Sequence, residues 1–85
     1  MEPVEVTVYI KEDCHLCDQM LAQLSEINKD QNGAPRFRLT LRDIEDRADW
    51  YEHYREYVPV IVVNNQEVCH YFLDQDEFEQ ALSCP

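Results

Sequence analysis

The chain has 85 residues, 45% of them hydrophobic, which suits one hydrophobic core and is too little for two. Eighteen Asp and Glu against seven Lys and Arg leave a formal net charge of -11, which repels phosphate backbones and anionic lipid headgroups. Nucleic acid and membranes are therefore not expected partners, and no apolar run approaches the ~20 residues that cross a bilayer.

Val4 to Ile10 is rich in β-branched residues and reads as a buried strand. Glu12-Asp13 interrupts it, with Asp13 as a candidate helix cap. From Cys14 to about Lys29 the apolar residues Cys17, Met20, Leu21, Leu24 and Ile27 recur at helical spacing. Asn32-Gly33-Ala34-Pro35, with the only glycine of the chain, marks a turn. Phe37, Leu39 and Leu41 then alternate with Arg36, Arg38, Thr40 and Arg42, which predicts a second strand. A helix between two strands implies that they pair in parallel.

A short helix is expected through 48–54, then an apolar strand over Val58-Pro59-Val60-Ile61-Val62-Val63. Asn64-Asn65-Gln66-Glu67 reads as the turn of a hairpin whose second strand runs from Val68 to Phe72. Asp74 to Ser83 closes the chain as a helix capped by Asp74, with Phe78, Ala81 and Leu82 on its apolar face. The expected fold class is α/β, a single domain over 1–85 with element order β-α-β-α-β-β-α. Its four-stranded sheet is mixed, with helices flanking it.

The opening Met1-Glu2-Pro3-Val4-Glu5 lacks the basic start and apolar stretch of a signal peptide, so a cytoplasmic location is expected. Structural disulfides are rare in that compartment, and four cysteines there point to chemistry. Cys14-His15-Leu16-Cys17 falls where the first strand gives way to the first helix. Thiol–disulfide exchange needs a thiolate attacker and a second thiol close enough to resolve the mixed disulfide. At a helix N-terminus the first sulfur gains from unpaired amides and the positive end of the dipole. Cys14 is thus the candidate nucleophile and Cys17 the resolving thiol.

Two other readings of the pair stand beside this one: inert buried cysteines, or half of a zinc site. Zinc wants four ligands, usually in two close pairs, and there is no second C-x-x-C. The remaining candidates are Cys69 with His70, His15, His53 and Cys84; neighbours such as Cys69 and His70 on a strand point to opposite faces. No metal ligand set is assigned.

Val8-Tyr9-Ile10-Lys11-Glu12-Asp13-Cys14-His15-Leu16-Cys17, followed later by Tyr57-Val58-Pro59-Val60, resembles the glutaredoxins. More narrowly, it is similar to the small glutaredoxin-like proteins of the thioredoxin-fold superfamily. The element order matches across nearly the whole chain. The resemblance implies a thioredoxin fold and a thiol–disulfide oxidoreductase with no bound cofactor, regenerated by glutathione or by a reductase. It further implies that Lys11 stabilises the thiolate and meets the glycyl carboxylate of glutathione. Pro59 would be the family's cis-proline, and Val58 would offer its backbone to a bound peptide or glutathione. Lys11, His15, Leu16, Val58 and Pro59 form the expected substrate-contact set around Cys14 and Cys17.

The departures from the family are specific. Glutaredoxins carry a glycine pair after the fourth strand where backbone amides grip glutathione; here Val68-Cys69-His70-Tyr71 stands instead. His15-Leu16 replaces the usual proline and tyrosine between the cysteines. Glu12, Asp13 and Asp18 oppose a thiolate and an anionic substrate alike. These features weigh against glutathione and favour a protein or low-molecular-weight disulfide of neutral or basic character, taken by a monomer. A non-catalytic binding module that adds a peptide strand at Val58-Pro59 is the alternative.

His15 can tune Cys14 when protonated, or be a surface histidine. Trp50, Tyr51, Tyr54 and Tyr57 are expected to serve as core packing and helix surface, not as a ligand platform. Arg36, Arg38 and Arg42 are expected to pair with carboxylates, Cys69 to act as a small buried hydrophobe and Cys84 to sit in a frayed terminus.

Overall fold

The computed structural model describes residues 4–28 and 37–83. The expected turn at 32–35, Arg36 and Cys84 lie outside these residues. In chain order the elements are β1 (Val4–Ile10), α1 (His15–Ile27), β2 (Phe37–Asp43), α2 (Ala48–Tyr54), β3 (Val60–Val63), β4 (Gln66–His70) and α3 (Gln75–Ser83). A single 3-10 turn, Ile44–Asp46, joins β2 to α2. The order is the one the hydrophobic periods predict, and the sheet is mixed. Its strands lie β2-β1-β3-β4, with β1 parallel to β2 and the other pairs antiparallel.

Strand alternation divides the apolar residues between two sheet faces. On one face Val6, Val8, Ile61 and Val63 pack with Phe37, with Met20 and Leu24 of α1 and with Phe78 of α3. Phe78 and Phe37 meet edge to face at 5.3 Å, and both are fully buried. On the other face Tyr9 and Val60 pack with Ile44, Val58 and Cys17. This second cluster lies where β1 ends and α1 begins.

The hairpin turn is narrower than its polar run suggests. Asn64 (φ 52°) and Asn65 (φ 67°) make it alone, both left-handed, the geometry that matches strand twist and that asparagine tolerates. Gln66 and Glu67 therefore belong to β4, which ends at His70 because Tyr71 turns away at φ 65°. Val58 and Pro59 precede β3 instead of opening it. The register jumps from Ile61↔Cys69 to Val62↔Glu67, leaving Val68 as an extra residue; Val68 and Cys69 both pack against the first cluster. Asp74 caps α3 as expected, its Oδ1 accepting from Glu77 N–H at 3.2 Å.

Two groups of side chains divide in ways the sequence did not specify. Tyr51 and Tyr57 are exposed, while Trp50 and Tyr54 pack against the second cluster. Helix α2 is only two turns long, so it can turn only part of its surface to the sheet. Arg42 meets a ring instead of a carboxylate among the described residues: the register sets it opposite Tyr9, and its guanidinium donates to the Tyr9 hydroxyl at 3.0 Å. It also lies 5.2 Å from the centre of the Trp50 ring, with Arg47 at 5.3 Å. Among the described residues no helix is long and apolar enough to cross a membrane.

Phe78→Ala removes the ring that ties α3 to the sheet. A loss of about 3–5 kcal/mol is expected, read as a lower urea midpoint. Tyr54 stacks on Tyr9 at 4.2 Å, and burial, then Tyr9 and Glu67, push its hydroxyl up to about 12 against the pull of Arg42. The unfolded chain ionises a tyrosine near ~10, so this contribution to stability is complete below that pH. It is lost as pH rises through the folded value of about 12. Tyr54→Phe is expected to flatten the fall of the urea midpoint across that alkaline window.

Candidate active site

Lys11, Glu12 and Asp13 carry the chain from β1 to α1. Asp13 takes φ 57°, a left-handed value that aspartate accepts in a tight turn. A helix cap needs extended backbone, which Asp13 cannot supply there. The expected cap is thus displaced by one residue: Cys14 is the N-cap, at φ -115° and ψ 105°. Its Sγ accepts the amide N–H of Cys17 at 3.1 Å, and its carbonyl accepts Asp18 N–H at 3.1 Å to begin the helix. The sulfur therefore takes one of the amides a helix start leaves unpaired, at the positive end of the dipole.

Cys14 and Cys17 are joined as a disulfide, with Cα atoms 5.2 Å apart. That separation is within the ordinary range for a bridge. The two sulfurs differ in access: Cys14 is half-buried, whereas Cys17 is 2% exposed. Three separate stretches of chain build the wall around Cys17. Tyr9 comes from β1, Ile44 from the 3-10 turn, Val58 from the segment before β3 and Val60 from β3 itself, with Cys14 and Ile10 packed against them.

The other expected site residues are placed unequally. Val58 and Pro59 are buried, Val58 in the dithiol's own cluster, and the bond between them is cis. Leu16 is half-buried on the turn between the cysteines. Lys11 and His15 are exposed and belong to neither packed cluster. One feature of Val58 differs from expectation. Its N–H does not face outward for a ligand; it donates to the Tyr54 carbonyl at 3.1 Å, beside Tyr57 N–H to the same oxygen at 2.8 Å. The end of α2 leaves carbonyls without partners, and this tight exit satisfies one of them twice.

Sequence patterns do not single out Tyr9 and Ile44 as part of the site. Tyr9 reads as one more strand residue, and Ile44 follows an arginine-rich strand without a period of its own. Their signal is tertiary: register sets Tyr9 against Val60, and the Asp43 side chain caps the turn that carries Ile44, accepting Glu45 N–H at 2.9 Å. Cys69 is half-buried against the opposite cluster, and burial raises its thiol above the ordinary cysteine range. It does not join the dithiol. Among the described residues no three His, Cys, Asp or Glu side chains converge as a metal ion requires.

A family model described as "Glutaredoxin-like domain (DUF836)" matches residues 5–83. The solution NMR structure of protein Ne2328 from Nitrosomonas europaea superposes with a TM-score of 0.81 at 36% identity, over 96% of this chain and 94% of that one. A variant of the thioredoxin-like protein BC3987 gives 0.59 at 20% identity, over 93% and 99%. Thioredoxin 1 from the thermophilic eubacterium Thermosipho africanus gives 0.57 at 14% identity, over 93% and 94%. These last two similarities concern the fold. No curated protein sequence matches significantly. With its thioredoxin-like strand order, its cysteine-capped first helix and this match over almost its full length, the chain belongs to the glutaredoxin-like domain family.

Proposed function

We propose that this protein is a thiol–disulfide oxidoreductase in which Cys14 attacks and Cys17 resolves. The observation that carries the reading is the unequal access of two bonded sulfurs at a helix start. Cys14 is half-buried with an amide directed at its sulfur, and Cys17 is sealed in the second cluster one turn away.

In the reducing direction the Cys14 thiolate attacks one sulfur of a substrate disulfide. The other substrate sulfur leaves as a thiolate and takes a proton from solvent. A mixed disulfide now joins Cys14 to the first substrate sulfur. Cys17, deprotonated, attacks the Cys14 sulfur and displaces that substrate sulfur as the second thiol. Two electrons have passed from the dithiol to the substrate, and the Cys14–Cys17 bond has formed. A dithiol reductase or two molecules of a monothiol such as glutathione restores the reduced pair by the reverse exchange. Enclosure protects Cys17 from competing substrates, while the Cys14 sulfur retains the amide through the cycle.

A protein disulfide of neutral or basic surroundings is the proposed substrate. The net charge of -11 disfavours the anionic glutathione, although only charges within about 8 Å act strongly at physiological salt. The residues that follow β4, Tyr71 and Phe72, carry bulky side chains where glutaredoxins have a glycine pair, and these hinder close backbone approach by a γ-glutamyl group. Glutathione then serves at most as the electron donor.

Cys14→Ser is expected to abolish reduction of insulin and of a small disulfide. Cys17→Ser is expected to accumulate a mixed disulfide detectable by intact-mass spectrometry. Full activity of the Cys14→Ser protein would disprove the assigned nucleophile. In a defined thiol buffer the wild-type couple is expected at a potential between about -180 and -270 mV, within the range of known oxidoreductases.

A further inference from the structure

Beside the dithiol the protein exposes a group of aromatic rings that its core does not use. Tyr57 is 47% exposed, Tyr71 38% and Phe72 67%. His70 links two of them, edge-on to Tyr57 at 5.5 Å and to Tyr71 at 4.8 Å. This group adjoins the active site through the backbone. Tyr57 directly precedes Val58 of the dithiol wall, and Tyr71 N–H donates to the Pro59 carbonyl at 3.0 Å.

Tyr71 is held in place. Tyr71 has φ 65°, uncommon and costly for a bulky residue without a glycine's freedom. It is kept there by the bond to Pro59 and by its hydroxyl, which donates to the Glu56 carbonyl. Rigid, exposed aromatic side chains offer contact area at low entropic cost. Phe72 continues the surface into a groove floored by Val68, Cys69 and Leu73 and edged by Asp74 and Asp76.

We propose that Tyr57, His70, Tyr71 and Phe72 form a shelf for the basic peptide segment that flanks the attacked cysteine of a protein substrate. The proposal rests on the oxidoreductase reading and names the substrate feature that reading leaves open. Charge complementarity selects the occupant. The groove edge carries two carboxylates, Glu56 and Glu67 lie on the adjoining segments, and cations favour aromatic ring faces. Glu67 Oε1 lies 3.3 Å from His53 Nε2, and Arg55 adjoins Glu56 in the sequence. An arginine or lysine beside the substrate cysteine thus finds rings beneath it and carboxylates at the rim. An acidic segment meets repulsion instead.

The test separates docking from sulfur chemistry. Two short labelled peptides are used, each with serine in place of cysteine, one flanked by arginines and the other by glutamates. Binding to the full oxidised protein is read by fluorescence anisotropy at physiological salt. The arginine peptide is expected to bind at least about fivefold tighter. Phe72→Ala and Tyr57→Ala leave net charge unchanged, and each is expected to remove most of that preference, with folding checked by circular dichroism. The same peptides carrying a cysteine in a mixed disulfide give the corresponding ratio of kcat/KM. Equal binding of the two peptides, or an undiminished preference in both variants, overturns the shelf. So does a self-association of the wild type that Phe72→Ala abolishes, since the occupant would then be a second copy. Preferential binding by a protein that reduces no disulfide supports the shelf and defeats the oxidoreductase reading. Turnover without peptide preference does the reverse.

Discussion

Everything at the active end of this protein depends on sealing Cys17 while Cys14, three residues earlier, stays within reach. A helix start is the natural place for that division. The cap residue is still extended and lies at the surface, while the residue at the end of the first turn points back toward the sheet. Here the burial is supplied by Tyr9, Ile44, Val58 and Val60, drawn from three stretches of chain that only the completed fold brings together. The amide bond from Cys17 N–H to Cys14 Sγ comes from the same arrangement, because it requires Cys14 to be the cap. Access, electrostatic support and resolving distance are one geometric fact.

The second sheet face is organised around rings and guanidinium groups in place of a uniform apolar layer. Arg42 donates to Tyr9 and faces Trp50, and Arg47 approaches the same indole while pairing with Asp49 at 2.9 Å. The exposed Arg47–Asp49 pair adds little stability by itself. The Tyr9–Arg42 contact matters more, since it gives a buried phenol its partner, and among the described residues no buried side-chain nitrogen or oxygen lacks one. The small helix α2 can therefore rest on a partly polar surface, and its tight exit carries the chain directly to Val58 and Pro59.

A net charge of -11 opposes negative charge on a sulfur. Surface carboxylates such as Glu12, Asp13 and Asp18 are exposed, and solvent and salt screen them, whereas the amide on Cys14 acts at bonding distance. Local geometry thus outweighs the overall field at the sulfur. At longer range the net charge of -11 still sets a negative field around the molecule.

Periodicity and residue type alone determined much here. β-Branching defined β1, helical spacing placed Met20 and Leu24 on a buried face, alternation defined β2, and a strand-to-helix junction located the two cysteines. Asp74 as a cap was equally readable, because capping is a local matter between a side chain and the next three amides. What required tertiary structure were the relations between distant segments. Register set Arg42 opposite Tyr9 instead of an acid, and the left-handed turn at Asp13 moved the cap to Cys14. The exit from α2 consumed the Val58 N–H, and Tyr57 was left at the surface while Tyr54 was taken into the stack. Local pattern encodes which face of an element is apolar; it does not encode which side chain another segment will place against it, and that pairing decides the chemistry of the site.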